Sequence, residues 1–314
     1  MESDDAYTKL LTKELSSEQA DRENDRLKLQ HDIVAPLLAT WINSHAAAPP
    51  SSSTSESGYN GHHPNNEGAD EDGGEPLVFV DIGCGPGHDV DLIYRVLREE
   101  NHQNNFRIIG IDTNDQLRRR AEERFEDVPV ITLQKGSITS IPLPDASVDF
   151  ILVKFVLQHI EGQARMHALT EMRRILKPGL GRALIVDVDD GIGSFICPEP
   201  EHFQLLLMRQ YAERAMFADR LVVRKLLPLL RTVGFDKIRL YSESVVGGRD
   251  HKFSFAQVMK VFYHWRFISL REEARKCDDI GVEQVDALEK ELGEIESDEN
   301  AFITYPIFLV VAEA

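Results

Sequence analysis

LVFVDIGCGPG, residues 77–87, decides the fold. Leu77 to Val80 are apolar strand formers; the run stops at Asp81 and breaks into glycines at 83, 85 and 87. A helical pattern starts at once. Val90, Ile93 and Leu97 fall at i, i+3 and i+7 with charged residues between them, the spacing of one buried helix face. A second apolar run, IIGID, then ends in Asp112, 25 residues beyond Gly87. Strand, glycine loop, helix, strand and acid, in that order, open a nucleotide-binding α/β unit.

The loop's spacing selects among nucleotides. The dinucleotide fingerprint G-x-G-x-x-G would need glycine at 83, 85 and 88, and position 88 is His. What stands here is D-x-G-x-G-x-G, which resembles motif I of the class I S-adenosylmethionine-dependent methyltransferases. Taken alone, the loop also reads as a glycine turn in an unrelated α/β domain or as a degenerate nicotinamide site. The physical case for the resemblance is direct. S-adenosylmethionine carries a zwitterionic amino-acid tail in place of a pyrophosphate. Gly83, Gly85 and Gly87 lack a Cβ, so main-chain atoms approach a ligand closely and adopt positive φ. Helix N–H groups beginning near Gly87 to Asp89 face its negative end. Asp81 is placed to take the α-ammonium, and Asp112 to accept from both ribose hydroxyls. Charge-assisted hydrogen bonds of that kind contribute about 1.5–3 kcal/mol each.

The resemblance continues downstream in the family's order. PVITLQ (129–134) reads as a third strand, followed by Gly136-Ser137-Ile138, where the family often has a glycine–acid pair near the adenine; here Ser137 replaces the acid. IPLPDASVDFILVKFVLQHI (141–160) matches a proline-containing loop, an acid before the fourth strand and a histidine after it. EMRRILKPGLGRALIVDVDD (171–190) is a helix closed by Pro-Gly and then a fifth strand. Residues 218–244 read as a further helix, a V-G-F hinge and strand six, and AFITYPIFLVVAEA (301–314) as the closing strand. The family implies an α/β fold: a seven-stranded, mostly parallel, Rossmann-like sheet with helices on both faces and the final strand inserted antiparallel. It also implies S-adenosylmethionine as cofactor and S-adenosylhomocysteine as product, held by Asp81, Gly83, Cys84, Gly85, Pro86, Gly87, Asp112, Thr113, Ser137, Ile138, Lys154 and Phe155.

Composition bounds the partners. Lys+Arg number 35 and Asp+Glu 53, a net charge of −18 over 314 residues, which argues against a nucleic-acid substrate. The Arg118-Arg119-Arg120 run falls on a helix among glutamates and reads as a solvated face. Cys84, Cys197 and Cys277 are widely spaced and odd in number, which fits a reducing compartment without disulfide framework or zinc site. Cys84 reads as a small packed side chain. No apolar run reaches the roughly 18 residues of a membrane span, and the acidic start is no signal peptide, so a cytoplasmic monomer or homodimer is expected.

Three parts lie outside the core. Residues 1–44 form an N-terminal helical segment in which Leu27, Val34, Leu38 and Trp41 recur at near-heptad spacing, with Pro36 expected to kink or restart the helix. ENDRLKLQHDIVAPLL is similar to a lid segment of small-molecule methyltransferases, which would bring Gln30, His31 and, upstream, Tyr7 to the cofactor. The alternative is an amphipathic helix with His31 on the surface. Residues 45–75 are rich in Ser, Gly, Pro and Asn and too poor in apolar residues to fold. Within the methyltransferase domain at 76–314, stretches 195–217 and 245–300 are expected to cap the pocket beyond the strand ends. They bring Phe203, Met208, Tyr211, Met216 and Phe217, then Phe255, Phe262, Tyr263, Trp265 and Phe267.

A sulfonium is already a strong electrophile, so the protein mainly aligns the nucleophile and excludes water. A base is needed only for a hydroxyl, thiol or ammonium acceptor. The candidates are His159, His31, His264 and the cluster Asp187, Asp189 and Asp190. The last reads as a solvated loop start, and no metal is expected. The leading function is methylation of O, N or S on a small aromatic or apolar metabolite, as in secondary or quinone metabolism. A protein methyltransferase and a non-catalytic S-adenosylmethionine-binding regulator compete with it.

Overall fold

The computed structural model describes residues 17–46, 75–99, 105–160, 162–189, 194–196, 219, 221–262 and 282–314. Tyr7, the 47–74 stretch, Asp190, Cys197, Cys277, His264 and the cap aromatics Phe203, Met208, Tyr211, Met216, Phe217, Tyr263, Trp265 and Phe267 lie outside these residues.

The order of elements follows the chain's hydrophobic runs. It begins with α1 (Ser17–Ala46), β1 (Leu77–Ile82), α2 (His88–Glu99), β2 (Phe106–Asp112), α3 (Asp115–Arg124) and β3 (Ile131–Lys135). It continues with β4 (Phe150–Lys154), a 3-10 turn at Leu157–His159, α4 (Gly162–Ile175), β5 (Arg182–Val188) and β6 (Ser194–Ile196). It closes with α5 (Val222–Thr232), β7 (Asp236–Gly247), α6 (Phe255–Phe262), α7 (Val282–Ser297) and β8 (Phe302–Glu313).

The strands stand in the order β3-β2-β1-β4-β5-β8, parallel from β3 to β5. β8 inserts antiparallel between β5 and β7. The seven expected strands are all present. β6 is an eighth, pairing three residues of β8 beyond the end of β5. The chain winds outward from β1 to β3 and returns to β4 on β1's other side. That reversal opens a crevice beyond the carboxyl ends of β1 and β4, the place where open α/β sheets bind ligands.

Strand alternation sends apolar side chains to both faces. Phe79, Phe150, Leu152 and Leu184 pack with Val34 and Leu38 of α1, Val90 and Ile93 of α2, and Val258 and Phe262 of α6. Val80, Ile151, Val153 and Ile185 pack with Leu169 and Met172 of α4 and Leu226 and Leu230 of α5. Two sequence expectations change here. Pro36 does not restart the helix, because α1 runs through it as one 30-residue element. Ile33, Val34, Leu38 and Ile42 are buried on both sides of the proline, and that packing holds the helix where its hydrogen-bond ladder loses a donor. Phe255 and Phe262, read as candidate pocket walls, are buried core residues; Phe262 stacks on Tyr305 with ring centroids 4.1 Å apart.

Candidate functional site

The loop after β1 is built as its glycines require. Gly83, Gly85 and Gly87 have φ of 79°, 52° and 81°, values a side chain makes costly. At Gly87 a Cβ would also stand 2.7 Å from the Phe125 ring. The N–H groups of Gly83 and Cys84 both donate to the carbonyl of Ile111 on β2, at 2.7 and 3.1 Å. This folds the loop against the tip of β2 and brings Asp112 to it. Asp112 Oδ2 accepts the Gly85 N–H at 2.7 Å, and Oδ1 accepts the Asn114 N–H at 2.7 Å. Burial raises the Asp112 carboxyl above its ordinary range, against the lowering effect of those N–H groups. Asn114 in turn caps α3, accepting from the N–H groups of Gln116 and Leu117.

Other expected residues fall around the same crevice. Thr113 is exposed beside Asp112, and Pro86 is buried within the loop. Cys84 is a buried free thiol, raised well above the usual thiol range, first by burial and then by Asp81 and Asp112. It stays protonated, as packing predicts and nucleophilic chemistry would not want. The Ser137 hydroxyl is shared with Thr139, 2.9 Å between the two oxygens. Ile138 turns its side chain into the core on the opposite face. At the end of β4, Phe155 has a φ of 57°, a left-handed conformation uncommon for an aromatic residue.

A charged cluster links β1, β4, α2 and α1. Asp89, in the first turn of α2, holds Lys154 Nζ on Oδ2 at 2.5 Å and His31 Nδ1 on Oδ1 at 2.9 Å. The side chains of His31, Asp89 and Lys154 are 8%, 10% and 9% exposed. Burial alone would raise the Asp89 carboxyl; Lys154 and His31 outweigh it and hold the group well below the carboxylate range. Asp81 is the opposite case. It is 1% exposed, and its Oδ2 is buried without a hydrogen-bond partner. Burial, then the charge of Asp89, lifts its carboxyl well above the ordinary value. His88 beside them is pushed down to about 4, mainly by burial and then by Arg124.

α1 covers this site. A Cβ at Gly85 would meet Leu27 Cδ1 at 3.7 Å, and Arg120 of α3 pairs with Asp21 at 2.5 Å. His31 is therefore not a surface residue: it is 6% exposed and faces Asp89. Gln30, next to it, is half-buried. The sequence reading did not single out Asp89, which the structure places between His31 and Lys154. The available signal was an acid directly after the glycine loop on the otherwise apolar face of α2.

His159 is half-buried at the end of the 3-10 turn, its N–H on the Val156 carbonyl at 2.9 Å. That turn is pinned by Asp187, whose Oδ2 accepts the Gln158 N–H at 3.1 Å. Asp189 accepts from Arg224 Nε and Nη2, at 2.5 and 2.9 Å. The solvated reading of this cluster is thereby corrected for these two acids, which are 1% and 2% exposed. They act as structural acceptors because strand β5 ends inside the fold. Arg118 also departs from the solvated-face reading, being mostly covered and paired with Asp115 and Glu122. Among the described residues no group of three or more His, Cys, Asp or Glu could hold a metal ion, and no helix is long and apolar enough to cross a membrane.

The fit to S-adenosylmethionine rests on three features: a backbone cradle without Cβ atoms, an acid at the tip of β2, and an unpartnered buried carboxylate oxygen at the tip of β1. The family model and the curated relatives agree with that fit. Residues 80–184 match the family model described as "Methyltransferase domain". A probable S-adenosylmethionine-dependent methyltransferase of Mycolicibacterium smegmatis is 28% identical over 157 residues, 50% of this chain and 51% of that one. A trans-aconitate 2-methyltransferase of Afipia carboxidovorans is 30% identical over 149 residues, 47% of this chain and 49% of that one. The chain spans about half the length of these curated relatives. Among solved structures, the YcgJ protein of Bacillus subtilis superposes with a TM-score of 0.45 at 18% identity, over 76% of this chain and 92% of that one.

Proposed function

We propose that this chain, which carries a class I S-adenosylmethionine-dependent methyltransferase domain, transfers a methyl group to O, N or S of a small molecule. The observation that carries the reading is the pairing of the D-x-G-x-G-x-G loop with Asp112, whose carboxylate lies within hydrogen-bond distance of Gly85 N. Asp112 would accept from the ribose hydroxyls, Asp81 from the tail ammonium, and the main chain of Gly83 to Gly87 would lie along the ligand. Thr113, Ser137 and Phe155 would complete the wall, with Gln30 and Tyr7 from the N-terminal segment; the Ile138 side chain lies in the core on the other face, and Lys154 is held on Asp89, so neither expected contact is carried over.

When bound, S-adenosylmethionine supplies an electrophilic methyl. The protein's own share is alignment and exclusion of water, and α1, lying against the loop, suits the second task. His159, on a turn held by Asp187, is the base for an acceptor that must lose a proton. The small-molecule reading draws on the Afipia relative, which is named for methylation of trans-aconitate. The net charge of −18 favours one alternative, a basic peptide acceptor.

Calorimetric titration with S-adenosylmethionine and S-adenosylhomocysteine, with NAD as control, tests the cofactor. Micromolar binding with NAD silent is expected; NAD binding in their place overturns the reading. Mass-spectrometric screening of small aromatic acceptors against basic peptides then separates the two acceptor classes.

A further inference from the structure

Asp81 near the tip of β1 and Asp89 in the first turn of α2 compete for the ammonium of Lys154 at the tip of β4. Asp81 pairs in register with Leu152, so Lys154, two residues on, is its diagonal neighbour on the same sheet face. With strands about 4.8 Å apart and a rise of about 3.3 Å per residue, that separation is about 8 Å between backbones, within reach of a lysine side chain. Lys154 nevertheless sits 2.5 Å from Asp89 Oδ2, while Asp81 Oδ2 is buried with no partner. An unsatisfied buried acceptor is costly, and a swing of Lys154 would relieve it. Asp89 prevents the swing. Its Oδ1 is tied to His31 of α1 at 2.9 Å, which fixes the carboxylate and aims Oδ2 at Lys154.

We infer that Asp89, steadied by His31, is a positioning residue that keeps Lys154 off Asp81 and leaves Asp81 Oδ2 open for the ammonium of a zwitterionic ligand tail. The inference rests on the methyltransferase reading, which makes Asp81 the acceptor of that ammonium. It adds a second task for the covering helix: through His31, α1 sets the charge pattern of the crevice beneath it.

The test uses two probes that differ only at the tail. S-adenosylhomocysteine carries the amino-acid group; 5′-methylthioadenosine has the same nucleoside without it. In calorimetric titrations of the full chain, Asp89→Asn removes the charge that holds Lys154, which then turns to Asp81. S-adenosylhomocysteine should bind roughly tenfold or more weakly, with 5′-methylthioadenosine within about twofold of wild type, which also reports that the variant is folded. Adding Lys154→Met to Asp89→Asn removes the intruding ammonium and should recover severalfold of the lost affinity. The inference is overturned if Asp89→Asn leaves both ligands unchanged, if both weaken in parallel, or if the double variant binds no better than the single. If wild type binds neither nucleoside, the methyltransferase reading itself fails and the inference falls with it.

Discussion

Single residues carry the cofactor reading, and Asp112 carries the largest part. Both of its oxygens are already in hydrogen bonds to the loop and to Asn114, so it orients the glycine cradle as well as facing the crevice. Asp112→Ala should weaken S-adenosylhomocysteine binding by about 2–3 kcal/mol. It should weaken 5′-methylthioadenosine equally, since both ligands have the ribose; unchanged titrations would remove Asp112 from the site. His88 gives a pH prediction. Its folded pKa is about 4, against 6.5 for an ordinary histidine. Below pH 6.5 the unfolded chain therefore binds the proton that the folded chain refuses, and stability falls as pH drops from 6.5 through 4. His88→Asn should flatten thermal melts across that window; a variant with the wild-type slope would count against the assignment. The loop and Asp112 were legible in the sequence because their spacing is local. Asp89's partners were not. His31 lies 58 residues away, and Lys154 joins it only because the sheet order places β4 beside β1.

Elements were legible where a hydrophobic period was uninterrupted, and least so where tertiary packing overrides a local rule. α1 is the clear instance. Pro36 reads as a kink or a restart, yet the apolar stripe formed by Ile33, Val34, Leu38 and Ile42 keeps one helix against the sheet. Pro36 itself is exposed, so its ring contributes little packing to set against the lost hydrogen bond. Pro36→Ala should raise stability by roughly 1–3 kcal/mol, read as a higher denaturation midpoint with unchanged S-adenosylhomocysteine affinity. A lower midpoint would show that the helix depends on the geometry proline imposes. Asp187 and Asp189 make the complementary point. Three acids at a strand end look solvated by composition, but their acceptors' partners, Gln158 N–H and Arg224, come from other elements that no local window contains.

At the scale of the whole molecule the last strand in sequence sits inside the sheet, and stability follows from that. β8 pairs with β5 over seven residues, with β7 along most of its other edge, and with β6 near its start. Ile303, Tyr305, Ile307 and Leu309 are fully buried on the face that carries α1, α2 and α6, while Phe308, Val310 and Ala312 are buried on the other. The N–H of Ala314 donates to the Gly181 carbonyl at 2.9 Å, and the Ala314 carbonyl accepts from Gly179 at 2.6 Å, so the chain is also tied down just past the strand. Without it, β5 and β7 would each present an open edge, and both cores would lose a row of side chains. The half of the sheet from β1 to β4 makes none of these pairings. A chain ending at Asn300 should therefore lose cooperative thermal unfolding and aggregate through the exposed edges, as measured by calorimetry and size-exclusion chromatography. A sharp transition near the wild-type midpoint would show instead that β1 to β5 hold the domain together by themselves, with β8 a late addition to a finished core. Leu309→Ala separates the strand's packing from its pairing: it leaves the backbone ladder in place and should cost about 2–5 kcal/mol without exposing an edge.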